Sequence, residues 1–92
     1  MWKYLKELRE EMFVAKIYIT LKPTVNDPEG ITIKNALEML GFKGIRDVRT
    51  GKYIRVFMDD HDENKVKEMC EKILRNPVIE EYSFEIEEVK NE

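Results

Sequence analysis

Apolar and polar residues alternate strictly from Phe13 to Lys22. Ala15, Ile17, Ile19 and Leu21 fall on one face and Lys16, Tyr18, Thr20 and Lys22 on the other, the period of a half-buried strand. The period then breaks. Lys22-Pro23-Thr24-Val25-Asn26-Asp27-Pro28-Glu29-Gly30 carries two prolines and ends as a helix start, with Asp27 placed to cap, Pro28 suited to the first helical position and Glu29 at the positive end of the dipole. Ile33, Ala36, Leu37 and Leu40 follow at i, i+3, i+4 and i+7, and Gly41 closes the helix as a left-handed residue.

The stretch from Ile45 to Met58 alternates again, with Thr50-Gly51 in its middle. A tight hairpin there would set Val48 opposite Tyr53 and Asp47 opposite Ile54, mixing charge into the core. An extended strand instead gathers Val48, Ile54, Val56 and Met58 on one face and Asp47, Arg49, Tyr53, Arg55 and Phe57 on the other. Such a strand would run roughly 45 Å, long for a domain of this size. Two versions stand open: a hairpin with a bulge that corrects the register, or a long bent strand whose far half pairs with a second copy. The second predicts an obligate dimer.

Beyond Met58 the acidic run Asp59-Asp60-His61-Asp62-Glu63-Asn64 leads into Val66, Met69, Cys70, Ile73 and Leu74, the stripe of a second amphipathic helix. Asn76-Pro77 stops it. A last strand, residues 78–87, turns Tyr82, Phe84 and Ile86 one way and Glu81, Ser83, Glu85 and Glu87 the other. Trp2, Tyr4, Leu5 and Leu8 have roughly helical spacing, so residues 1–12 read as a short helix or frayed arm. The expected organisation is an N-terminal extension over 1–12, one domain over 13–88 and a tail over 89–92. The order β-α-β(β)-α-β implies an α+β two-layer sandwich, an antiparallel sheet with both helices on one face, related to the ferredoxin-like pattern, with a long central strand or hairpin at 45–58.

With 92 residues the chain supports one modest core, which makes a pocket between two lobes of the same chain a poor expectation. The 16 basic side chains are outnumbered by 19 acidic ones, which argues against a nucleic-acid backbone or an anionic membrane as partner. No apolar run is long enough to span a bilayer, and the N-terminus lacks a secretory h-region, so a cytoplasmic protein is expected. Cys70, the single cysteine, reads as a small buried hydrophobe.

Chemistry is sparse. Counted from Asp60, the residues Asp60, Asp62, Asn64 and Glu71 mimic a calcium loop, but Lys65 stands where the turn needs glycine. A solvated acidic cap on the second helix accounts for the run better, and zinc would lack a second nitrogen or sulfur ligand beside His61. His61 precedes the helix while Cys70 faces its apolar side, nine residues on, so they do not form a nucleophile pair. The four glycines are scattered, without a phosphate loop. Tyr53 and Phe57 with Arg49 and Arg55 faintly echo an RNA-binding sheet, yet suit a protein interface equally. Arg49, Lys52 and Tyr53, around Gly51, read either as solvated strand ends or as groups that dock a partner or an anion.

Four segments in register carry a resemblance: Asp27-Pro28-Glu29-Gly30, Ala36-Leu37 through Leu40-Gly41-Phe42, Asp47-Val48-Arg49-Thr50-Gly51-Lys52-Tyr53, and Asn76-Pro77-Val78-Ile79-Glu80-Glu81-Tyr82. From about Val14 to Ile86 the chain resembles the PurS family, the small subunit of phosphoribosylformylglycinamidine (FGAM) synthase; residues before Phe13 depart from that pattern. The resemblance implies a non-catalytic subunit, without cofactor of its own, that bridges the synthetase PurL, which carries ATP and magnesium, and the glutaminase PurQ. It also implies self-association to a dimer or tetramer, and makes Arg49, Lys52 and Tyr53 candidate interface residues. The alternative from another class is an ACT-like module binding a small regulatory ligand.

Overall fold

The computed structural model describes residues 11–90. The extension reading therefore lies, for residues 1–10, outside the described residues, as does the end of the tail at 91–92. Three strands, β1 (Met12–Leu21), β2 (Gly51–Met58) and β3 (Glu80–Val89), form an antiparallel sheet in the order β2-β1-β3. Two helices, α1 (Pro28–Met39) and α2 (Glu63–Met69), lie between them in sequence, and α2 runs on into a π-helical turn, Cys70–Leu74. The α+β order β-α-β-α-β is the expected one.

The central place of β1 follows from its alternation. Ala15, Ile17 and Ile19 are fully or almost fully buried, and they pack with Met58, Val66 and Cys70. Ile54 and Val56 of β2 and Tyr82, Phe84 and Ile86 of β3 close around them, the faces that the period predicts. Pairing runs from Phe13 opposite Met58 to Thr20 opposite Gly51, and from Met12 opposite Val89 to Leu21 opposite Glu80.

That register excludes the hairpin version of the 45–58 stretch and shortens the long-strand version to its second half. Gly51–Met58 pairs with β1 along its whole length, so the chain does not fold back at Thr50-Gly51. Residues 43–50 approach β2 without strand or helix assignment. A Cβ at Gly51 would lie 2.5 Å from the carbonyl oxygen of Ile19, so the glycine serves close strand approach rather than a turn.

Of the two helices expected over one face of the sheet, α2 covers it and α1 lends no side chain to the core. Val66 and Cys70 are buried, as their stripe predicts, but Ile73 is 81% exposed. The π-turn is the reason. Its wider winding, closed by Arg75 N–H to Cys70 O at 3.0 Å, rotates Leu74 toward the core and Ile73 away from it. β3 begins at Glu80, because Asn76 to Glu80 form a knot first: Asn76 N–H donates to Glu80 Oε1 at 2.7 Å and Glu80 N–H to Asn76 O at 2.8 Å.

Candidate functional site

The residues around Gly51 are organised by Asp27. Its carboxylate caps α1 by accepting from Gly30 N–H at 2.9 Å. It also accepts from Thr50 N–H at 2.6 Å and from the Thr50 hydroxyl at 3.0 Å. Only 3% of Asp27 is exposed, and the Thr50 amide first, then the Gly30 amide, holds its carboxyl below the usual carboxylate range. One buried carboxylate thus ties the start of α1 to the start of β2. The cap was legible from the spacing of Asp27, Pro28 and Glu29. The tie to Thr50, 23 positions away, had no local signal.

Arg49 completes the junction. Its guanidinium donates to the carbonyls of Lys22, at 3.1 Å, and Val25, at 2.7 Å, which holds the loop after β1. Lys52 shares the inward side of the sheet edge with its cross-strand partner Ile19 and reaches Glu80 at 3.8 Å. Tyr53 points the other way, paired with Tyr18. The structure therefore brings Arg49, Lys52 and Tyr53 to one corner of the molecule but sends them in three directions.

The outward face of the sheet sets Lys16, Tyr18, Glu85 and Glu87, which motif reading did not single out, beside Tyr53, Arg55 and Phe57, which it did. Tyr18 and Tyr53 stack with ring centroids 5.2 Å apart, and Tyr53 remains 52% exposed. Tyr18 donates its hydroxyl to Glu85 at 2.9 Å, which raises its pKa, and the pairing of Lys16 with Glu87 at 2.8 Å raises that of the lysine. The Arg55 guanidinium lies 6.0 Å from the Phe57 ring centroid. Cations and aromatics on β1 and β2 beside carboxylates on β3 make a polar face fit for protein contact. Period-two alternation assigned these side chains to that face; the tyrosine stack required the register.

The acidic run takes the capping role expected of it. Asp62 accepts from Lys65 N–H at 3.1 Å, and Asp60 pairs with the Lys65 ammonium at 3.0 Å. Glu71 accepts the Tyr82 hydroxyl at 2.9 Å. The His61 ring meets Phe13 edge-on at 5.7 Å, while Cys70 is fully buried and burial pushes its thiol up. Among the described residues, no group of three or more His, Cys, Asp or Glu is arranged to hold a metal ion. No helix there is long and apolar enough to cross a membrane.

Residues 14–88 match the family model described as PurS: Phosphoribosylformylglycinamidine (FGAM) synthase. The chain is 43% identical over 81 residues to the FGAM synthase subunit PurS of Bacillus subtilis, covering 85% of this chain and 96% of that one. Its fold is similar to the crystal structure of Methanocaldococcus jannaschii PurS, with a TM-score of 0.75 and 41% identity over 85% of this chain and 99% of the other. A chain in the PurLQS structure from Thermotoga maritima is similar with a TM-score of 0.69 and 35% identity, over 85% and 98% of the two chains. By a family match that spans the whole sheet core and the Asp27 junction, this chain belongs to the PurS family of FGAM synthase subunits.

Proposed function

We propose that this chain is the bridging, non-catalytic subunit of a cytoplasmic FGAM synthase, a carbon–nitrogen ligase complex of purine biosynthesis. In that complex formylglycinamide ribonucleotide, glutamine and ATP give formylglycinamidine ribonucleotide. The observation that carries this reading is the likeness to a chain of the Thermotoga maritima PurLQS structure over nearly its full length. ATP and magnesium belong to the synthetase PurL and ammonia release to the glutaminase PurQ. The present chain joins them, self-associated as a dimer or tetramer, and assists ammonia transfer by holding the two enzymes in place.

Arg49, Lys52 and Tyr53 contribute to this assembly, Tyr53 and Lys52 by exposed contact and Arg49 by holding the junction beside them. The experiment is glutamine-dependent ADP release by purified PurL and PurQ with formylglycinamide ribonucleotide, with and without this protein. Turnover that requires the chain, and weaker complex formation by the triple alanine variant of Arg49, Lys52 and Tyr53, are the expected results. Equal turnover without the chain would remove the bridging role and favour a ligand-binding module of ACT-like type. Unchanged assembly by the triple variant would remove the interface assignment.

A further inference from the structure

Lys22 and Arg49 stand against each other where β1 ends and β2 begins. The last pair of that ladder is Thr20 opposite Gly51. Carried two residues further, the register sets Lys22 across from Arg49, and the Arg49 guanidinium does reach the Lys22 carbonyl, at 3.1 Å. Lys22 also meets the start of β3: its N–H donates to Ile79 O and its ammonium to Pro77 O, both at 2.8 Å. One residue thus gathers the ends of all three strands, with two cations beside it.

Like charges set directly across a ladder destabilise it unless something neutralises them. Elsewhere on this chain a carboxylate does so: Lys16 meets Glu87 at 2.8 Å, Lys34 meets Glu38 at 3.1 Å, and Lys65 and Lys72 meet Asp60 and Glu68 at 3.0 Å. At this corner the partners are neutral carbonyls, that of Pro77 for Lys22 and those of Lys22 and Val25 for Arg49. Among the described residues, the carboxylates nearby are already committed. Asp27, close enough to feel the Arg49 charge, is 3% exposed, and its oxygens are taken by Gly30 and Thr50. Glu80 accepts from Asn76 N–H at 2.7 Å and lies 3.8 Å from the Lys52 ammonium. Both cations keep donors in reserve. Lys22 has committed one of its three ammonium protons, and Arg49, exposed at the surface, uses only Nη2, which leaves Nε–H and both protons of Nη1.

We propose that Lys22 and Arg49 form a binding site for a phosphate monoester group at the shared end of the three strands. A monoester brings about 1.5 to 2 negative charges at pH 7 and three acceptor oxygens, whereas a carboxylate brings one charge and two oxygens. Two uncompensated cations with spare donors on each match the former. The bonds to carbonyls hold both side chains in place before a ligand arrives, so little side-chain freedom is lost on binding. The chain as a whole carries a net charge of -3, so a phosphate held here is held by the local arrangement and not by the overall field. The site belongs to the single chain and does not depend on the bridging role.

The test titrates glycerol 3-phosphate, and separately acetate, into the full-length protein at constant ionic strength, with amide shifts read by nitrogen-15 NMR. Glycerol 3-phosphate should give saturable shifts confined to residues 22–25, 49–52 and 77–80. Lys22→Gln removes the charge while keeping a donor for Pro77 O, and should weaken binding about tenfold, the loss of one charge-assisted hydrogen bond. Arg49→Gln should abolish binding; since it also frees the loop after β1, the decision rests on Lys22→Gln with native circular dichroism. Acetate that saturates the same residues as tightly as the ester would assign the corner to a carboxylate, such as a side chain of a partner protein, and overturn the phosphate assignment. Shifts scattered over the surface lysines, or unmoved by Lys22→Gln, would mean an adventitious ion only and overturn the site.

Discussion

Replacing Gly30 by alanine reverses an ordinary expectation and so tests the Asp27 junction directly. In a helix interior, glycine to alanine stabilises by about 1 kcal/mol. Here the new Cβ would fall inside the van der Waals contact of the Val48 carbonyl oxygen, 3.0 Å from the carbonyl carbon and 3.1 Å from Asp27 Cγ. The obstacle is backbone and a buried carboxylate, not the free end of a side chain, so it yields only if residues 48–50 move away from α1. Forcing a methyl group into such a contact costs roughly 1–3 kcal/mol, with an unyielding backbone at the upper end. Subtracting the helical gain from the upper end of that range leaves a net loss of about 2 kcal/mol. For a domain of this size each kcal/mol lowers Tm by about 4–8 °C. The assay is thermal unfolding at fixed protomer concentration, since association shifts the midpoint, together with hydrogen exchange at the Thr50 amide, which bonds Asp27 at 2.6 Å. Gly41→Ala is the control: it strains a residue at φ 96° but meets nothing in space, so it lowers Tm without exposing the Thr50 amide. A Gly30→Ala protein with raised Tm and a Thr50 amide as protected as before would refute the reasoning.

Acid should reveal the same carboxylate. Asp27 has a folded pKa below its ordinary 3.8, so the unfolded chain takes up the proton first. The stability that this brings is complete above about pH 3.8 and is lost as pH falls through the lower folded value. Asp27→Asn should therefore lower Tm at neutral pH yet lose less on acidification, and parallel Tm curves from pH 7 to 2 for the two proteins would contradict it. Burial raises the Cys70 thiol, which is 0% exposed; an aromatic disulfide reagent should leave it untouched in the native protein and label it at once in denaturant, and rapid native labelling would show that the α2 contact with the sheet opens.

The three strands were legible because each carries its own evidence: the faces of Ile17, Ile54 and Phe84 follow from alternation within a few residues. The Asp27 cap was legible for the same reason, since it lies three positions from the amide it accepts, whereas Asp62 was read only as one charge of the acidic run before α2. The π-turn at Cys70–Leu74 was not, because nothing local distinguishes its sequence from another helical turn, and with it went the outward swing of Ile73. The tie from Asp27 to Thr50 spans a whole helix and belongs to tertiary structure.

The fate of α1 was undecided for a deeper reason, and it is the same question as the turn at Thr50-Gly51. A hairpin there would have made a fourth strand, and four strands at about 4.8 Å spacing offer two helices, each about 10 Å across, a place on one face. With Gly51 running straight on into β2, three strands remain and α2 alone lies over the core, leaving the strip above Val56 as a groove. An apolar stripe on a helix states that something must cover it, not which chain supplies the cover. Once the hairpin is excluded by the pairing of Gly51 with Thr20, the stripe of α1 has no fourth strand beneath it and stays apart from the core that α2 covers.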